Sequence, residues 1–212
     1  MCTSSLDSTW FDRDPEQVAR DLLGCVLVCE RGGARAGGIV VETEAYLGSD
    51  DPGSHAATRG MTRRNQVMYA APGTLYVYVS YGIHHLLNVV CGPEGEAGAV
   101  LIRALEPTVG LASMRERRSG AKDVDLCRGP GRLTQALGID VRDNGTSLGS
   151  GGLWVYDSPW PGVHQVGSSG RIGLSEGHDR ELRFYIVGSR FVSPAKPGQV
   201  VRVRRRDAGG TE

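Results

Sequence analysis

Within Val41-Glu-Thr-Glu-Ala-Tyr46, two carboxylates and a phenol recur at every second residue. On an extended strand, Glu42, Glu44 and Tyr46 therefore point to one side. Farther along, Tyr76 and Tyr78 share a strand face, Tyr81 follows near a turn at Gly82, and Arg103 closes the apolar run Ala99-Val-Leu-Ile102. A buried Arg103 needs a partner. An aromatic-lined site beside a carboxylate and an arginine suits a flat ring to be stacked and a water to be activated, and stacked aromatics are a common way to hold an unpaired nucleobase. Residue type alone leaves plainer roles open. Glu44 also reads as a solvated strand residue, and strand tyrosines usually pack.

Other chemistries find less support. Adjacent His84 and His85 diverge on a strand, and no carboxylate pattern completes a metal set; neither a metal nor another cofactor is expected. Gly129-Pro-Gly131 before a helix reads either as an anion-binding turn or as an ordinary one. The five cysteines form no C-x-x-C pair, which points to reduced thiols. Trp154, Tyr156 and Trp160 read as packing groups. Basic and acidic residues number 24 each, so no global positive field announces a nucleic-acid partner. Only Lys122 and Lys196 are lysines, leaving 22 arginines. Arginine suits phosphate oxygens, but a GC-rich genome enriches it equally well.

The chemistry needs a scaffold, and 212 residues suffice for one substantial core. No apolar run reaches the roughly 20 residues of a membrane span, and the start lacks signal-peptide character. The expectation is a cytoplasmic monomer with no membrane partner. Asp14-Pro15-Glu16 predicts a capped helix running to Leu23 and stopping at Gly24. Strands are predicted over residues 25–29 and 38–44, with 31–37 turning between them, and 48–73 reads as a long ordered loop. Residues 74–81 and 86–90 form a hairpin, 99–102 a buried strand, and 111–118 and 133–137 helices. Residues 153–156, 181–187 and 199–203 supply further strands, while 1–13 and 204–212 read as frayed termini. Strands and helices do not alternate regularly. That predicts a single α+β domain with a curved, largely antiparallel sheet, flanking helices and a protruding β-hairpin.

Longer motifs narrow the reading. Val41-Glu-Thr-Glu-Ala-Tyr-Leu-Gly48, Pro72-Gly-Thr-Leu-Tyr-Val-Tyr-Val79, Tyr81-Gly82, Asn88 and Leu101-Ile-Arg-Ala-Leu-Glu-Pro107 together resemble the alkyladenine (3-methyladenine, methylpurine) DNA glycosylase family. Leu126-Cys-Arg-Gly-Pro130, Leu133-Thr-Gln-Ala-Leu137, Arg171-Ile-Gly173 and Leu182-Arg-Phe-Tyr185 continue it in the same order. The resemblance implies a monofunctional glycosylase acting on double-stranded DNA that contains damaged purines. Glu44 then matches the general base, and Arg103 the residue that holds the water and keeps Glu44 ionised. Tyr46, His55 and Tyr78 match the pocket around the extruded base. Asn88 matches the residue at the purine's minor-groove edge that disfavours guanine. Tyr81 matches the wedge that fills the vacated stack, with Ile83 and His84 flanking it in the minor groove. A combined glycosylase and lyase uses an amine nucleophile, and neither lysine falls near these motifs. Two other readings share the residues: a non-catalytic DNA-damage binder and a small-molecule purine nucleosidase.

Overall fold

A computed structural model describes residues 4–57, 60–157, 165–174, 176–177, 179–194 and, for the backbone alone, 202–205. Helices α1 (Ser8–Phe11) and α2 (Pro15–Asp21) precede strands β1 (Val26–Arg31) and β2 (Ala34–Tyr46). Strands β3 (Leu75–Ser80), β4 (His84–Val90) and β5 (Ala99–Val109) follow, then α3 (Leu111–Arg117) and α4 (Pro130–Leu137). The described chain ends with β6 (Leu153–Tyr156), β7 (Gln165–Ser169), β8 (Arg183–Ile186) and β9 (Arg202–Arg205).

All nine strands join one antiparallel sheet in the order β3-β4-β5-β2-β8-β7-β9, with β1 pairing β2 and β6. It curls into a half barrel, and the fold is α+β as expected. One face of its centre packs against α2, α3 and α4 around Val18, Leu22, Val40, Ile102, Leu105, Leu133 and Leu137. The α2 start follows its local code. The Asp14 carboxylate accepts from the amides of Glu16 and Gln17, Pro15 takes the first turn, and Gly24 adopts φ +91° beyond the end.

Several boundaries differ. Strand β2 begins at Ala34, because two glycines, Gly32 and Gly33, with positive φ complete the turn that was expected to fill 31–37. Strand β5 runs to Val109, since β2 offers it a partner along its length. The long loop holds a 3-10 turn at Gln66–Tyr69. Strand β7 lies in a Gly/Ser-rich stretch without strand periodicity; pairing with β8 makes it. The start of the chain is not frayed from residue 4 on: Ser5 bridges Tyr156, and Phe11 is fully buried. At the other end, Arg204 and Arg205 belong to β9, which pairs with β7. Cys25, Cys29, Cys91 and Cys127 are buried and, among the described residues, joined by no disulfide. Residues 199–201 and 206–212, Trp160 and Lys196 lie outside the described residues.

Candidate active site

Two irregularities in the β2–β5 ladder shape the site. The register shifts between Val40 and Glu42 and again between Glu42 and Thr43, so that Val41 and Arg103 are the unpaired extra residues. Bulges of this kind bend a strand and re-aim its side chains. Here they bring Arg103 between two carboxylates. Its Nε donates to Glu42 Oε1 at 2.9 Å, and its Nη1 lies 3.1 Å from Glu44 Oε1. Glu42 and Glu44 have no solvent exposure, and Arg103 has 5%. Burial works against the Arg103 charge, but Glu44 and Glu42 outweigh it and raise its pKa above the ordinary arginine value.

Glu44 has further partners besides Arg103. Its Oε1 also accepts the Ile172 amide at 2.8 Å, and its Oε2 accepts the Tyr46 hydroxyl at 2.9 Å. A carboxylate offers about four lone-pair sites; these three donors leave room for one more. Burial, and then the Glu44 charge, push the Tyr46 pKa well above the usual tyrosine value, so its phenol stays a donor.

Above this cluster opens a cleft of about 480 Å³, lined by Tyr46, His55, Tyr78, Leu101, Arg103 and Ile172 among others. That volume lies in the range of small-molecule sites. His55 meets Tyr78 edge to face, with centroids 4.7 Å apart, and its Nδ1 lies 3.0 Å from the Tyr76 hydroxyl. Burial, reinforced by Arg64, lowers the His55 pKa and favours the neutral ring. Burial raises the Tyr76 pKa to about 12. Beside the cleft lies a smaller cavity of about 40 Å³, shared by Tyr46, His55 and Tyr78 and reached by Asn88. Asn88 is 3% exposed, and its amide nitrogen donates to the Tyr76 carbonyl at 3.1 Å.

The rim belongs to the β3–β4 hairpin. Tyr81 and Gly82 both take positive φ, and the Ile83 amide closes the turn onto the Ser80 carbonyl. Among the described residues Tyr81 is the one non-glycine with positive φ, at +50°, and it is 86% exposed. Such a conformation costs on the order of 1–3 kcal/mol and concentrates at functional positions. Ile83 is 75% exposed. His84 lines the cleft mouth and packs so close to Gly131 that a Cβ there would lie 2.9 Å from its ring. The Thr134 hydroxyl donates to the His85 carbonyl and ties α4 to the hairpin base.

The structure thus gathers Arg103, Tyr46, His55 and Tyr78 at the cleft, sets Glu44 behind its lining in contact with Arg103, Tyr46 and Ile172, places Asn88 in the adjoining cavity, and leaves Tyr81 and Ile83 at the tip with His84 below them. The arginines of α3 and its C-cap are engaged elsewhere: Arg115 with Asp123, Arg117 with the Ala136 carbonyl, and the capping Arg118 with the Asp125 and Leu126 carbonyls. Sequence reasoning missed Arg64 and Arg132, which line the cleft. It also missed the fully buried pair Arg171 and Asp51. Arg171 sits in a quoted motif, so a signal for it was present; Asp51 had none beyond its place in the long loop.

Comparison with known proteins finds one family. The family profile of methylpurine-DNA glycosylase (MPG) matches residues 9–190. A relative from Salinibacter ruber, named "Putative 3-methyladenine DNA glycosylase", is 47% identical over 202 residues, covering 91% of this chain and 98% of its own. Relatives under the same name from Methanoculleus marisnigri and Rhodopseudomonas palustris are also 47% identical, each over 89% of this chain and over 98% and 87% of their own.

Proposed function

From the premise that this chain belongs to the methylpurine-DNA glycosylase family, we propose that it extrudes alkylated or deaminated purines from duplex DNA and hydrolyses the N-glycosidic bond, leaving an abasic site. The observation that carries this reading is the buried Glu44–Arg103 pair, of which Arg103 lines an aromatic cleft and Glu44 accepts the hydroxyl of Tyr46 in the same lining. Glu44 has one lone-pair site left for a water, which it deprotonates as the water attacks the sugar C1′. Arg103 and the Ile172 amide hold the carboxylate in place. Tyr46, His55 and Tyr78 stack on the extruded ring, and a neutral His55 avoids repelling a cationic alkylpurine. Such a base is a good leaving group, so one carboxylate suffices where sugar glycosidases generally use two. Among the described residues no lysine lines the cleft, and on this reading the product strand is not nicked. Incubation with alkylated duplex, undamaged duplex and free alkylated nucleosides tests the reading. Base release from the alkylated duplex alone supports it; release from free nucleosides favours a nucleosidase, and binding without release favours a damage sensor.

Tyr81 is proposed as the wedge. Replacing it by Ser is expected to weaken affinity for lesion-containing duplex by roughly 1–3 kcal/mol, the scale of one aromatic–base stack. Excision from single strands should suffer much less, since no hole is left to fill. Equal losses on both substrates would remove the wedge from the mechanism.

Asn88 is proposed as the guard against guanine, whose 2-amino group would press on the small cavity that Asn88 helps close. In Asn88→Ser that wall recedes, and release of undamaged guanine should become detectable, first from mismatches, where extrusion is least costly. Hypoxanthine release should fall by a smaller factor than the discrimination does. Intact guanine rejection in this variant would move selectivity to the flipping step.

A further inference from the structure

We infer that Glu42 is a positioning residue for the reaction: it holds Arg103 at the distance where Arg103 steadies Glu44 without covering it. This rests on the roles proposed above for Glu44 and Arg103. Glu42 reaches no cleft and touches no substrate position, yet its carboxylate is the most heavily engaged in the molecule's centre. Oε1 accepts from Arg103 Nε at 2.9 Å, from Arg183 Nε at 2.7 Å and from the Ser193 hydroxyl at 2.7 Å, while Oε2 accepts the Ser193 amide at 2.7 Å. Arg183 is fixed in turn by the Ser169 hydroxyl and the Ser193 carbonyl. The anchor thus draws on β5, β8, the end of β7 and the segment after β8.

The charges explain why a carboxylate stands there. Glu42, Glu44, Arg103 and Arg183 form a buried set of two anions and two cations. Glu42 and Glu44 take different nitrogens of the Arg103 guanidinium, so the group is stretched between them. Without the Glu42 charge, Arg103 has one anion left to face and is drawn fully onto Glu44. A two-pronged pairing there would occupy the site reserved for the water. An amide at position 42 has one acceptor oxygen and a donor NH₂, so it cannot receive donors at both ends of its head group as the carboxylate does. A shift of about 1 Å in a reacting group is enough to reduce a rate by roughly 10²-fold.

The test is a double-mutant cycle read by single-turnover release of 7-methylguanine from duplex DNA, with lesion-duplex affinity measured alongside. Glu42→Gln should lower the rate by about 10²-fold with affinity little changed, and Glu42→Asp, which keeps the charge, should recover part of it. In an Arg103→Gln background the same Glu42→Gln change should add almost nothing, because its effect passes through Arg103. Independent structural effects instead add to within about twofold. A full additional loss in that background, or a near wild-type rate for Glu42→Gln, overturns the inference. Should Glu42→Gln fail to fold, the cycle is run with Glu42→Asp and judged by the same non-additivity. An active Glu44→Gln enzyme would instead sink the underlying assignment of the base, whatever the cycle shows.

Discussion

Glu44→Gln is expected to slow single-turnover base release by at least ~10²-fold, the usual contribution of a general base, and by up to ~10⁴-fold. The amide keeps the side chain's shape but cannot take a proton from water. Its oxygen can retain the Ile172 amide or the Tyr46 hydroxyl as a donor, and its NH₂ group must then face another donor. Affinity for lesion-containing duplex should stay close to that of the parent protein, because Tyr81, Tyr46, His55 and Tyr78 are untouched. Release rate and affinity measured on one alkylated duplex separate the two effects. Turnover near the parent level would exclude Glu44 as the base. A parallel collapse of affinity would mean that the cleft had been lost rather than the proton acceptor.

Asp51→Ala should have the largest effect on stability, about 3–5 kcal/mol, as expected when one partner of a buried ion pair is removed. Asp51 and Arg171 have no side-chain exposure, and both Arg171 terminal nitrogens donate to the Asp51 carboxylate at 2.5 Å. Arg171 also donates to the carbonyls of Ala45 and Gly177 and lies 4.7 Å from the Tyr46 ring centroid. The pair therefore clamps the loop after β2 to the loop after β7, the two walls that carry His55 and Ile172. For a protein of this size the melting temperature should fall by about 6–20 °C. Burial opposes ionisation of Asp51, but hydrogen bonds from Arg171 and the Leu47 amide prevail and hold its pKa below the ordinary aspartate value. The sign follows. The pair's contribution is complete above the ordinary aspartate range and is lost as pH falls through the depressed value. Acid unfolding of the parent should therefore steepen below about pH 4, and Asp51→Ala should lack that component. A melting temperature within about 2 °C of the parent, less than 1 kcal/mol, would show that the clamp does not hold the walls.

Much of the scaffold was legible because it is locally encoded. Asp14 and Pro15 start α2 with groups one to three residues apart. The period-2 patterns of Leu75–Ser80 and Leu153–Tyr156 need no distant information to read as strands. Where a partner decides, local reading stopped short. Strand β7 has Gly167, Ser168 and Ser169 in place of branched residues and is a strand because β8 lies beside it. The N-terminal segment has little periodicity of its own and is ordered by docking Phe11 into the core.

The same division runs through the site. Sequence by itself determined which functional groups the protein owns and which of them share a strand face: Glu42 with Glu44 and Tyr46, Tyr76 with Tyr78, and a tyrosine next to the glycine of a tight turn. These are consequences of a two-residue repeat and of backbone sterics, which short stretches of chain carry with them. Tertiary structure alone decided that Glu44 is closed to solvent, that Arg103 occupies a bulge and faces two acids, and that Glu42 and Asp51 are anchors rather than surface charges. Each of those outcomes depends on groups 61 to 151 residues away, such as Arg103 and Ser193 for Glu42 and Arg171 for Asp51. The free energy of a buried charge is set by the partners and the dielectric that surround it, and these exist only once the sheet has curled and brought its distant strands together.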